Sequence, residues 1–155
     1  MRRFGVALGL AAFLTLGTAL TAFAHDASGT FVVGSTQVRI AEKDVTLEVP
    51  VHVFKDNQVW VPVRAVVEAW GGKVDWDGEK RQVHVFGPAG QHFILTVGSA
   101  EVNILSGGGS SPLSGPVHIV KDRAQVPLKF LADNFGYHYA FDEATKTVKV
   151  TVEGH

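Results

Sequence analysis

The 155 residues contain no cysteine, and their one methionine is the initiator. A chain without thiols makes no disulfide, no thiolate metal site and no cysteine nucleophile, so its apolar core alone must hold it together. Charge is sparse and nearly balanced, with 14 basic and 15 acidic side chains and a net charge of −1. Nothing in that balance favours a nucleic-acid partner, which would need a concentrated basic face, and none is expected. Catalytic signatures are missing too. No Gly-x-Ser-x-Gly elbow occurs, and Ser110-Ser111 falls in a Gly/Ser-rich stretch where a preorganised triad has no support. The carboxylates are scattered through turns rather than paired across a cleft, and no two histidines stand four apart on a helix.

The N-terminus reads as a secretory signal peptide over residues 1–24. Met1-Arg2-Arg3 is a basic start, residues 4–20 are almost wholly apolar, and Ala22-Phe23-Ala24 offers a small-x-small cleavage site. Gly5, Gly9, Gly17 and several threonines dilute the apolar run, so it suits a cleaved leader better than a retained span. No cysteine follows to accept a lipid. Losing Arg2 and Arg3 from the 14 basic side chains leaves 12 against 15 acidic ones, net −3. The expected product is secreted, associated with the cell surface, and not an integral membrane protein.

What is present is said twice. Val33-Gly34-Ser35-x-x-Val38-x-Ile40 returns as Val97-Gly98-Ser99-x-x-Val102-x-Ile104, and Pro50-Val51-His52 as Pro116-Val117-His118. Val61-Pro62-Val63-Arg64 answers to Val126-Pro127-Leu128-Lys129, and Trp76-Asp77 to Phe141-Asp142. The offset moves only between 64 and 66, which predicts an internal duplication. Residues 25–155 are expected to form one domain of two repeats, at about 30–87 and 92–153.

Within each repeat the pattern predicts strands, one short helix, then a hairpin. Residues 31–33 and 37–40 flank a Gly-Ser turn, residues 45–49 alternate as a half-buried strand, and residues 51–54 and 59–61 form a second hairpin. Pro62 then opens a helix as its first residue, because that amide would lack a partner anyway. Val63, Val66, Val67 and Trp70 fall on one stripe that Gly71-Gly72 ends, and Leu128, Leu131, Ala132, Phe135 and Gly136 repeat it. Residues 106–112 read as a flexible Gly/Ser loop. A helix this short encloses nothing alone, so the fold class is α+β, two repeats packed as one pseudo-two-fold unit.

With these residues laid out, the chain resembles the copper amine oxidase-like N-terminal domain, or stalk domain, of secreted bacterial proteins. The resemblance rests on Val61-Pro62-Val63-Arg64 leading to Trp70-Gly71 and Val74-Asp75-Trp76-Asp77. It rests equally on Val126-Pro127-Leu128-Lys129-Phe130 leading to Phe135-Gly136-Tyr137 and Phe141-Asp142. The second copy departs in Lys129, where the pattern usually has Arg, and in Phe141, where it usually has Trp. In the oxidases this module is an appendage, and the copper and quinone chemistry sits in a separate domain. Nothing here resembles that domain, for there is no Asn-Tyr-x-Tyr segment and no His-x-His pair. The resemblance implies an exported, non-catalytic module of the cell surface. The leading expectation is a non-enzymatic envelope module, without cofactor or metal, that binds a cell-wall polymer or a surface protein of unknown identity.

Arg64 and Lys129 occupy matching places early in the helices, and Asp77 and Asp142 are their expected ion-pair partners, repeated with the fold. Asp75, Asp77 and Glu79 around Gly78 read as a solvated turn rather than a calcium loop, because most of the ligand spacing is missing. His52 and His118 are expected on solvent or a shared groove. Trp60 and Trp76 are the candidate surface contacts, since Trp70 lies on the helix stripe. A second reading makes His25 the mature N-terminus, its amine and imidazole chelating extracellular copper. A third, a small secreted hydrolase, finds no catalytic constellation.

Overall fold

The computed structural model describes residues 28–54 and 57–152; the leader, His25 and Lys55-Asp56 lie outside them. Fourteen strands and two helices make up these residues, so the fold is mostly β. The first sheet combines β1 (Gly29–Val32), β2 (Gln37–Ile40) and β3 (Lys43–Thr46) with a hairpin from the far end of the chain. That hairpin is β13 (Tyr137–Asp142) and β14 (Thr147–Val152), and the sheet order is β13-β14-β1-β2-β3. The second sheet, β10-β9-β8-β7-β6, joins hairpin β6 (Lys73–Asp77) and β7 (Gln82–Phe86) to β8 (His92–Thr96), β9 (Glu101–Ile104) and β10 (Ser110–Pro112). The third comprises β4 (His52–Phe54), β5 (Gln58–Pro62), β11 (His118–Val120) and β12 (Arg123–Pro127), in the order β11-β12-β5-β4. Exchanging β1–β7 for β8–β14 turns the first order into the second and leaves the third unchanged. At the centre of the third sheet, Val61 faces Val126.

Local hydrogen bonds follow the same correspondence. Gly34 N–H donates to Val51 O as Gly98 N–H does to Val117 O, both at 2.7 Å. Val51 N–H returns to Ser35 O as Val117 N–H does to Ser99 O, both at 3.0 Å. The Ser35 and Ser99 hydroxyls accept from Gln37 N–H and Glu101 N–H at 2.9 and 3.1 Å, fixing the entry into β2 and β9.

Helices α1 (Val63–Ala69) and α2 (Leu128–Phe135) are too short to be stable alone. Burial holds them: Val63, Val66, Val67 and Trp70, with Leu128, Leu131, Ala132 and Phe135, all lie in the core. Pro62 and Pro127 are the N-caps, still extended at ψ 125 and 130, one residue earlier than the proline-first expectation. Each belongs to its strand's ladder as well, so the turn into the helix begins after it. Gly136 closes α2 at φ 79, a left-handed conformation that glycine adopts without strain. One core cluster draws on both halves, joined by Trp70 against Phe135 at 5.7 Å and against Tyr137 at 5.0 Å.

Two expected elements shift. Strand β3 stops at Thr46, although Leu47 and Val49 remain buried beyond it. Residues 106–112 are not all loop, because Ser110–Pro112 pairs with β9 as an edge strand. A proline at the last position of an edge strand leaves no ladder bond broken.

Candidate functional site

A cleft of about 370 Å³ opens between α1, the β6–β7 hairpin and the β11–β12 hairpin. Alternation along β6 and β7 aims Val74, Trp76 and Val83 into it, with Trp76 directly across from Val83. Ile119 of β11 and Ala124 of β12 supply further apolar wall. Trp76 is 45% exposed and Ile119 37%, so two large apolar side chains meet solvent at one opening. Gly78 leaves room for the indole, since a Cβ there would sit 3.3 Å from Trp76 Nε1.

Three arginines line the same cleft. Arg64 donates from Nη1 to Glu68 Oε2 at 3.2 Å and to Val74 O at 3.0 Å, pinning α1 to β6. Arg123 Nη2 pairs with Glu48 Oε1 at 2.6 Å. Hydrogen bonding and then Coulomb attraction from Arg123 hold the Glu48 carboxyl below its ordinary value, and Glu48 raises Arg123 in return. Arg81, in the β6–β7 turn, has no ion pair among the described residues. Its counterpart Lys146 pairs with Glu143 at 3.7 Å. Asp122 is the one acid on the cleft wall.

The expected ion pairs do not form as written. Arg64 takes Glu68, and Lys129 takes Asp133 at 2.9 Å, each the acid four residues on. Asp77 and Asp142 are engaged elsewhere. Asp77 Oδ1 accepts from the amides of Glu79 and Lys80 at 3.1 and 3.2 Å, and Asp142 Oδ1 from those of Ala144 and Thr145 at 2.9 and 3.4 Å. A short carboxylate at the head of a turn meets the turn's own amides before any side chain can reach it. Trp60 is a second correction: it is fully buried, with Nε1–H donating to Phe54 O at 2.9 Å. Strand β5 lies inside its sheet, and its last four residues are buried on both faces, so Trp60 offers no surface.

The repeated histidines come together. His52 and His118 stand 5.8 Å apart, edge to face, and His118 also packs on Phe54 at 4.5 Å and Trp60 at 4.9 Å. Each Nδ1 lies near the carbonyl two residues back, His52 to Pro50 at 3.0 Å and His118 to Pro116 at 3.2 Å. Gln125 shares this sheet face and is fully buried; its Nε2 donates to Arg123 O at 2.9 Å while its Oε1 has no partner. His84 and His92 are neighbours as well, at 5.9 Å, with Phe86 stacked on His92 at 4.3 Å. Among the described residues no three His, Asp or Glu side chains group as a metal site, and no helix is long and apolar enough to cross a membrane.

Sequence reasoning missed Arg81, Arg123, Ile119 and Gln125. The signal for Arg81 lay in the repeat: the first copy has Arg at positions 64 and 81 where the second has Lys129 and Lys146. Gln125 was legible the same way, as a polar residue standing where the first copy has Trp60.

Compared with known proteins, the chain matches the family model described as the copper amine oxidase N-terminal domain, over residues 17–85 and again over 39–150. No curated protein and no solved structure matched.

Proposed function

Because the chain belongs to the copper amine oxidase N-terminal domain family, an accessory domain that is non-catalytic on its own, we propose that it is a secreted cell-envelope module that binds a wall polymer or surface protein. Its contact site is the cleft at Trp76. The carrying observation is that an exposed indole, an exposed isoleucine and an unpaired guanidinium converge on one concave site. Concave, largely apolar sites with few polar groups are where ligands bind. Clustered exposure of this kind differs from the scattered apolar residues of an ordinary surface.

The same reading takes the chain as one domain descended from a duplication. It is supported by the doubled family match and by the interchangeable strand orders. Residues common to both copies then hold the fold, whereas Trp76, Arg81 and Arg123 distinguish the cleft.

The test is retention of labelled protein, residues 25–155, on isolated cell wall, compared with Trp76→Ala. Wild type is expected to be retained and the variant released, with both melting at the same temperature. Equal retention of the two would place the contact elsewhere.

A further inference from the structure

The cleft's chemistry narrows its occupant. We propose that it takes a sugar unit of an anionic polysaccharide, with the ring on Trp76 and its oxyanion on Arg81. This rests on the cleft reading above and goes beyond it by naming the ligand class.

Three observations carry it. First, Arg81 lines the cleft without an ion pair among the described residues, while Arg64 and Arg123 are already engaged. A guanidinium presents a planar fork of donors that matches a carboxylate or phosphate with two parallel bonds, which an ammonium cannot do. The first repeat holds Arg at 64 and 81 where the second holds Lys129 and Lys146, so this cleft carries guanidinium forks where the matching positions carry ammonium groups. Second, Trp76 is 45% exposed. An indole face is negative at its centre and suits the positive C–H face of a pyranose. Asp122 on the cleft wall supplies an acceptor for ring hydroxyls.

Third, the alternative of an acidic peptide added to a sheet edge meets an obstacle. Strand β6 is the edge of its sheet, but Val74 O is taken by Arg64 at 3.0 Å, and Lys73 pairs with Asp75 along the same strand at 3.6 Å. Strand β11, the edge of the other sheet, is only three residues long. Occupied carbonyls, charged side chains and short strands are how edges resist pairing. The volume of about 370 Å³ lies near the lower end of ligand sites and suits a short length of polymer.

The experiment titrates residues 25–155 with four probes at one ionic strength: oligogalacturonate, a phosphodiester-linked hexose oligomer, neutral cello-oligosaccharide and poly-glutamate. Trp76 fluorescence is the readout, since Trp60 and Trp70 are buried. At least one of the two anionic sugar probes is expected to bind about tenfold or more tightly than the neutral one. Preference for oligogalacturonate assigns the oxyanion as carboxylate, and preference for the hexose-phosphate oligomer assigns it as phosphodiester. Arg81→Ala is expected to lose about the same factor, with Arg81→Lys between it and wild type. Equal binding of neutral and anionic oligomers, unchanged affinity in Arg81→Ala, or tighter binding of poly-glutamate would overturn the proposal. Wall retention that needs Trp76 but not Arg81 would leave the cleft as contact site and remove only the oxyanion. Retention that needs neither would remove both.

Discussion

Truncating Leu131 to alanine tests whether the two short helices owe their existence to a shared core. Leu131 sits in the middle of α2, has no exposed surface, and belongs to the cluster that joins both halves. Its helix packs on β5 from the first repeat and on β12 and β13 from the second, so the lost atoms belong to an element held by both halves. The change removes three carbons from a site fixed by sheets on several sides, where collapse is limited. Leucine-to-alanine changes in such cores cost about 2–5 kcal/mol, the upper part applying where the cavity stays open. At roughly 3–5 °C per kcal/mol for a chain of this size, the melting temperature should fall by at least about 6 °C. Circular dichroism melts of wild type, Leu131→Ala and the exposed control Lys129→Ala read this directly. The control loses only a surface ion pair, worth about 0–1 kcal/mol. If Leu131→Ala melts with the control, α2 is not core-held and the packing argument is wrong.

Four further outcomes follow from named contacts. Arg64→Ala should cost more than Lys129→Ala in matched melts, because Arg64 alone also bonds a strand carbonyl. Gln125→Glu should lower the melting temperature markedly at pH 7 and less at pH 4.5, since the fully buried site lets the new carboxyl fold more cheaply when protonated. Glu48 is held below its ordinary value of 4.5, so its contribution is present above about pH 4.5 and is lost as pH falls through the lower folded value. Glu48→Gln should therefore flatten the acid limb of the melting-temperature profile slightly, the pair being exposed. Mass spectrometry of exported protein should give His25 as its first residue, the outcome expected of cleavage after Ala24.

How much the sequence revealed depended on whether local pattern or distant partners decided a residue's place. The helix stripes were legible because the 3.6-residue period survives even with β-branched Val63, Val66 and Val67, and burial agrees with it. Trp60 was misplaced because alternation assumes one wet face, whereas β5 runs inside a sheet and is covered on both sides. Asp77 and Asp142 were paired with the wrong groups because turn amides two and three residues away outcompete a cation on another element. Whereas β7 against β8 is a local hairpin, its counterpart, the closure of β14 against β1, joins opposite ends of the described chain and no local window contains it. The cleft is illegible for the same reason: Trp76 and Ile119 are far apart in the chain and meet only when two hairpins converge.

The central claim is that the cleft at Trp76 is the binding site, and the indole N–H signals of the ¹⁵N-labelled protein test it most directly. Trp60 donates to a backbone carbonyl inside the core, Trp70 is buried without a partner for its Nε1, and Trp76 is exposed, so the three signals report three environments. Adding soluble cell-wall fragments should shift the Trp76 signal progressively to saturation while those of Trp60 and Trp70 stay fixed. A Trp76 signal that does not move while the protein is retained on the wall would contradict the account.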